Sequence, residues 1–219
     1  MSNQEIEQYT AVPADAKLPT KYGDFRIRSY IDPRDGAEHA AIYYGDMDSQ
    51  EPPLVRVHSE CLTGDAFSSL RCDCGAQLDA ALMQIQKIGW GCLVYLRQEG
   101  RGIGLHAKIQ AYNLQDKGAD THDANLMLGH PVDARNYEIA SVILNSIGIK
   151  KICLMTNNPE KTKQLSKFGI GVEETMPLIV GVVEENRDYR KFLETIIPKT
   201  RVLFNLTKKY ITNNLSIYE

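Results

Sequence analysis

No stretch of the 219-residue chain approaches the ~20 consecutive apolar residues that a spanning helix needs, so a helical membrane protein is not expected. Neither sign of charge dominates. The 25 Lys and Arg stand against 28 Asp and Glu, a formal net charge of -3, which argues against a general nucleic-acid coat or a polybasic membrane binder. The opening MSNQEIEQYTAVPADAKLPT lacks a basic segment followed by an apolar one, so no secretory signal is expected and the cytoplasm is the expected compartment. Low-complexity tracts and repeats of roughly 20–50 residues are missing too, which leaves out solenoids and linker-rich arrays. Cysteine is scarce and odd in number, five in all, and a disulfide framework is therefore not expected. What remains, 43% hydrophobic and 24% charged, is an ordinary folded chain long enough to bury a core without staples.

Residues 1–16 read as a loose polar arm. Tyr22 to Ile31 alternates as a half-buried strand, and Ala40 to Tyr44 and Leu54 to His58 read as two more. In the last of these Val55 and Val57 take one face, so Arg56 and His58 share the other and form a candidate site wall. Gln77 to Ile88 carries Leu78, Leu82 and Ile85 at helical spacing, and Cys92 to Leu96 is the unbroken apolar run of a strand buried on both faces. Leu105 to Lys117, Tyr137 to Ile147 and Lys161 to Phe168 are predicted helices, with a strand at Ile152 to Met155. Asn158 is the expected N-cap and Pro159 the first residue of the third helix. Strands first, then strands alternating with helices, predict an α/β fold with α+β character: a mixed sheet flanked by helices. Residues 184–219 are charged, with scattered apolar residues and a break at Pro198, and are expected to form a helical tail.

Cys92 and Cys153 lie inside apolar runs and read as small buried hydrophobes. Cys61, Cys72 and Cys74 do not. Three soft thiolates within fourteen residues of polar, turn-like sequence suit Zn²⁺. Three ligands leave the open position of a catalytic zinc, whose bound water ionises near neutral pH. The alternative is a structural zinc completed by His58 or a distant histidine. His58-Ser59-Glu60 is only half of a deaminase signature, since no P-C-x-x-C follows, and Glu60 reads equally well as a salt-bridged strand end. Glu99 to Gly104 links a buried strand to a helix through three glycines. It is neither a P-loop nor a G-x-G-x-x-G turn, and Arg101 within it favours a phosphate contact over a plain turn. Thr156 to Lys161 repeats the strand–loop–helix pattern with a lysine where the helix dipole disfavours it; such a lysine often meets an anion, though many are simply solvated. Asp133-Ala134-Arg135 alone suggests a surface ion pair.

Taken together, Arg56 to Asp65, Leu70 to Gly75, Arg97 to Leu105, Ala111 to Asp116 and Thr156 to Pro159 resemble the GTP cyclohydrolase II family in identity and order, across residues 17 to 181. The resemblance implies that family's fold and a catalytic domain over 17–183. It implies zinc on Cys61, Cys72 and Cys74, and GTP contacts from Arg56, Val57, His58, Ser59, Glu60, Gln77, Glu99, Gly100, Arg101, Thr121, Thr156 and Lys161. It also implies Asp133 as proton acceptor, Arg135 as nucleophile at the α-phosphate and Tyr112 at the active site, with Mg²⁺ on the triphosphate and a homodimer. The implied reaction, that of a hydrolase acting on a cyclic amidine, opens GTP to 2,5-diamino-6-(5-phosphoribosylamino)pyrimidin-4(3H)-one with release of formate and pyrophosphate, the first step of riboflavin synthesis. An arginine nucleophile sits badly with a pKa above ~12, and a charge-stabilising Arg135 is the plainer role. The chain departs from the family pattern at Asn136, His122 and His130, and in the tail from Glu184 onward. Two rivals are an enzyme that stops at the formylamino-pyrimidine and a non-catalytic GTP-binding relative.

Overall fold

The computed structural model describes residues 14–47, 51–131, 133–178 and 180. The expected tail at 184–219 and most of the expected arm at 1–16 lie outside the described residues. Seven strands form one sheet: β1 (Asp15–Thr20), β2 (Gly23–Ile31), β3 (Glu38–Tyr44), β4 (Leu54–Ser59), β5 (Gly91–Leu96), β6 (Lys151–Met155) and β7 (Gly171–Met176), in the order β1-β2-β3-β5-β4-β6-β7. The β1-β2-β3-β5 half is antiparallel, while β5, β4, β6 and β7 run parallel. The sheet is mixed, as the sequence predicts. Strand β1 starts inside the segment expected to be an arm and carries Pro19, which an edge strand tolerates.

Six helices accompany the sheet among the described residues: α1 (Leu62–Asp65), α2 (Cys74–Ile88), α3 (Gly104–Gln115), α4 (Thr121–Met127), α5 (Glu138–Ser146) and α6 (Pro159–Lys167). The alternation in β4 sets its two faces. Val55 and Val57 join Ile143 and Leu144 of α5 and Leu165 of α6 in one core. Leu54, on the other face, joins Ala81, Leu82 and Ile85 of α2, with Leu93 and Met155. Truncating Ile85, fully buried there, to Ala would cost about 2–5 kcal/mol. Arg56 and His58 share Leu54's face, so the fold carries both toward α2 and away from the valine core. The Asn158 side chain accepts the Glu160 N–H at 2.9 Å, and Pro159 opens α6. No helix among the described residues is long and apolar enough to cross a membrane.

Parallel strands put their carboxyl ends on one edge of a sheet, where α/β folds build their sites. Here β4 runs into Glu60 and Cys61, β5 into the Arg97–Arg101 segment and β6 into Thr156. The Glu60 N–H donates to the Leu96 carbonyl at 2.8 Å, tying the first two exits together.

Candidate active site

Cys61 caps α1, Cys74 opens α2 and Cys72 lies in the turn between them. Their sulfurs all fall within 4.8 Å of one another, with Cys61 and Cys72 at 3.5 Å. Thiolates bound 2.3 Å from one tetrahedral zinc would be roughly 3.8 Å apart, so the cluster fits the ion. Among the described residues no histidine or carboxylate joins the three sulfurs. His58, the suggested fourth ligand, instead points Nε2 at both Asp65 carboxylate oxygens, at 3.1 Å. The donor set is therefore three thiols, which leaves a coordination position for a non-protein ligand.

Electrostatics agree. Hydrogen bonds from Cys72 and Cys74, aided by Lys108, hold the Cys61 thiol far below its ordinary range, and the charge on Cys61 pushes Cys72 and Cys74 up. Three crowded thiols thus lose their protons together only when a cation replaces them. Burial, by contrast, pushes Cys92 up to about 12 and Cys153 up to about 11, in keeping with their reading as inert core residues.

Two glycines close the cluster. A Cβ on Gly64 would lie 2.9 Å from Cys72 Sγ, and one on Gly75 would lie 2.4 Å from the Gly64 carbonyl oxygen. The two cysteine-bearing segments meet backbone to backbone because neither residue has a side chain. Asp65 locks the assembly from beneath: one carboxylate oxygen accepts the Cys61 N–H at 3.0 Å and the Tyr95 hydroxyl at 2.8 Å, while His58 sits across both oxygens. Asp65 and Tyr95 were not singled out in the sequence, although Asp65 stands four residues after Cys61, one helical turn away.

Next to the thiols lies a buried cluster of cations. Arg56 donates through Nη1 to the Met155 carbonyl at 2.9 Å and through Nη2 to Gln77 Oε1, and Gln77 in turn donates to Asp73 at 2.7 Å. Lys161, 5% exposed, donates to the Val57 carbonyl at 2.8 Å. Burial pushes the Lys161 ammonium well below the usual lysine range, and the nearby Arg56 and Arg135 add to this. Arg135 and Asp133 form a two-point ion pair at 2.9 and 2.5 Å. Burial alone would raise the Asp133 carboxyl, but Arg135 holds it below its ordinary value. The expected ion pair is present, and it lies against the site.

The turn after β5 places Glu99, Gly100 and Arg101. Gly100 and Arg101 are both left-handed, with φ of 61°, which costs about 1–2 kcal/mol at the arginine. The Gly100 N–H donates to Glu99 Oε1 at 2.8 Å, and a Cβ on Gly102 would lie 3.1 Å from the Ala134 backbone. The Ala134 N–H donates to the Arg101 carbonyl at 3.0 Å, which docks the Asp133–Arg135 segment on this turn. Protein contacts thus account for these two glycines.

The remaining expected residues are spread around this core. The Ser59 hydroxyl accepts from Gln98 at 2.9 Å, and Glu60 pairs with Arg97 at 2.8 Å, the salt-bridged strand end foreseen as one alternative. The Thr156 hydroxyl accepts the Asn158 N–H at 3.0 Å. Thr121 opens α4, and its side chain lies outside the described residues. Tyr112 in α3 lies under the Arg71 guanidinium, 4.3 Å from its ring centre, and 5.6 Å from Lys108 on the same helix face. Burial raises its hydroxyl above the ordinary tyrosine value. Lys108 itself escaped the sequence reading; its spacing of four from Tyr112 was the available signal.

The family profile "GTP cyclohydrolase II" matches residues 11–177. The GTP cyclohydrolase-2 of Shewanella sp. strain W3-18-1 is 52% identical over 182 residues, covering 83% of this chain and 90% of that one. The GTP cyclohydrolase-2 of Haemophilus influenzae strain PittGG is 54% identical over 183 residues, covering 83% of each. A solved two-domain 3,4-dihydroxy-2-butanone 4-phosphate synthase from A. baumannii superposes with a TM-score of 0.43 at 17% identity, over 76% of this chain and 39% of that one.

Proposed function

The chain belongs to the GTP cyclohydrolase II family, and from that premise we propose how its residues divide the work of opening GTP at the head of riboflavin synthesis. The observation that carries the reading is the Cys61, Cys72 and Cys74 cluster lying against the Arg56, Lys161 and Asp133–Arg135 group. The overall change removes the C8 carbon of the purine as formate by two hydrolyses, and a third hydrolysis releases pyrophosphate.

Cys61, Cys72 and Cys74 would hold zinc, which when bound would supply a Lewis acid able to activate water near neutral pH. Asp65 fixes the Cys61 backbone and orients His58 beside it. Arg56, Arg101 and Lys161 meet the triphosphate together with Mg²⁺, stabilising charge that builds on the leaving pyrophosphate. Lys161 suits this role, because an arriving anion offsets the burial that disfavours its ammonium. Asp133 is ionised and accepts a proton from attacking water. Its pairing keeps Arg135 cationic, so Arg135 serves as charge stabiliser at the α-phosphate and not as nucleophile. Tyr112, Gln77, Glu99 and Thr156 line or brace the GTP site. A homodimer belongs to the same reading, with exposed Phe67, Leu70, Ile109, Leu126 and Met127 as apolar surface for a second copy.

The test is mass spectrometry of the products after zinc-quantified protein meets GTP and Mg²⁺. Formate, pyrophosphate and the diaminopyrimidine together support the full reaction. A product that keeps the formyl carbon makes the protein a ring-opening enzyme that stops early. Unchanged GTP with zinc bound makes it a nucleotide-binding relative.

A further inference from the structure

Lys108 touches the thiol cluster, and the catalytic reading has no use for it. It lies in α3, 47 residues beyond Cys61, with a side chain 11% exposed. A buried ammonium demands an acceptor for each of its three donors. Lys108 has them: Cys61 Sγ at 3.0 Å, Thr63 Oγ1 at 2.9 Å and Glu99 Oε1 at 2.8 Å. No donor is left for a substrate phosphate.

Glu99 is fixed from both sides. Its Oε1 also accepts the Gly100 N–H, and its Oε2 accepts the N–H of Leu62, the residue after Cys61, at 2.6 Å. One carboxylate therefore clamps both the backbone beside a metal-binding sulfur and the cation resting on that sulfur. Gly100 makes room for the arrangement, since a Cβ there would lie 3.1 Å from Lys108 Cβ. The chemistry gives the contact a purpose. Three thiolates on a divalent cation leave a net negative, electron-rich centre, which is a weak Lewis acid. An N–H donated to a ligand sulfur withdraws charge from it and fixes its direction.

We propose that Lys108 is a positioning residue for the metal centre: by donating to the Cys61 sulfur it orients that ligand and keeps a three-thiolate site acidic enough to act on water. The inference rests on the zinc reading above. Its test compares wild type, Lys108→Met and Lys108→Arg, each loaded with Co²⁺ for absorption spectra and with Zn²⁺ for kinetics on GTP. In Lys108→Met the thiolate-to-cobalt charge-transfer band should move to longer wavelength. Its kcat should fall about 10–100-fold, the usual effect of losing a group that supports a metal ligand, with KM little changed. Lys108→Arg should return the band toward wild type and recover part of kcat. A Lys108→Met protein with the wild-type band overturns the proposal, as does one that raises KM while keeping kcat, the signature of a phosphate contact. Lys108→Leu, which likewise carries no donor, gives the same readouts should the Met variant fail to fold. A wild-type protein with no charge-transfer band at all would instead remove the metal centre itself, and the inference with it.

Discussion

Gly64 offers a direct way to separate metal binding from folding. A Cβ there would lie 2.9 Å from Cys72 Sγ, 3.1 Å from Cys74 Cβ and 3.3 Å from Cys61 Sγ. Carbon contacts settle at about 3.5–4.0 Å, so Gly64→Ala drives the Cys72 sulfur back by roughly 0.6 Å or more. Metal sites tolerate ligand displacements of only about 0.2 Å, so the move is some three times too large. The fold feels it far less. Gly64 lies in α1 without a left-handed φ, where alanine gains about 1 kcal/mol over glycine, against an overpacking cost of about 1–3 kcal/mol. The net loss of zero to about 2 kcal/mol lowers Tm by less than about 8 °C in a domain of this size. The assay is thermal melting with zinc and with chelator, alongside zinc quantification. Wild type should lose Tm on chelation, whereas Gly64→Ala should bind little zinc and melt almost alike in both. A variant that holds one zinc per chain and shows the wild-type response to chelator would refute the argument.

Burial pushes the Lys161 pKa down and a triphosphate beside it would push it back up, so GTP binding should draw in a proton. Binding enthalpies measured in two buffers of different ionisation enthalpy should differ for wild type and agree for Lys161→Met, and equal values in wild type would deny it the phosphate role. The same variant should raise KM for GTP far more than for a triphosphate-free analogue. His39 accepts the Arg97 N–H at 3.0 Å, and burial holds its pKa below 6.5 against the opposing pull of Asp32 and Asp35. Below pH 6.5 the unfolded chain takes up a proton that the folded one refuses, so this contribution to stability is complete above that pH and shrinks as pH falls. His39→Gln keeps an acceptor and should flatten that slope in denaturant titrations across pH 5–7; an unchanged slope would remove His39 as its source.

The legible parts of the molecule are those written in short-range pattern. Alternation in six residues is enough to send Val55 and Val57 to one core and Arg56 and His58 to the other face, because period two leaves a strand no other choice. Soft ligands in a polar setting mark Cys61, Cys72 and Cys74 for the same local reason. Edge strands hide better. Strand β7 contains Glu173 and Glu174 and pairs only with β6, so its sequence carries little burial pattern. Lys108 was illegible because its meaning comes from docking. Its spacing from Tyr112 is the one hint within α3, and that hint acquires a meaning only when the helix is laid across Cys61, Thr63 and Glu99. Arg56 likewise acquires its anchor from Met155, 99 positions away, a contact no local pattern encodes.

That separation in sequence orders events on the ribosome. The three cysteines and the groups that brace them, His58, Asp65, Tyr95, Glu99 and Lys108, have been synthesised by the midpoint of the chain, whereas the Val57–Lys161 and Arg56–Met155 contacts wait for some fifty residues more. The nascent protein therefore has all three cysteines well before it has Lys161 or the Met155 carbonyl that anchors Arg56. Contacts of such range are the slow part of folding, since their loops must close before they return any stabilisation. On the proposed reading the metal ligands come early and the last nucleotide contacts late, so a product truncated after Lys108 is expected to bind zinc without turning over GTP, which zinc quantification and a product assay would check.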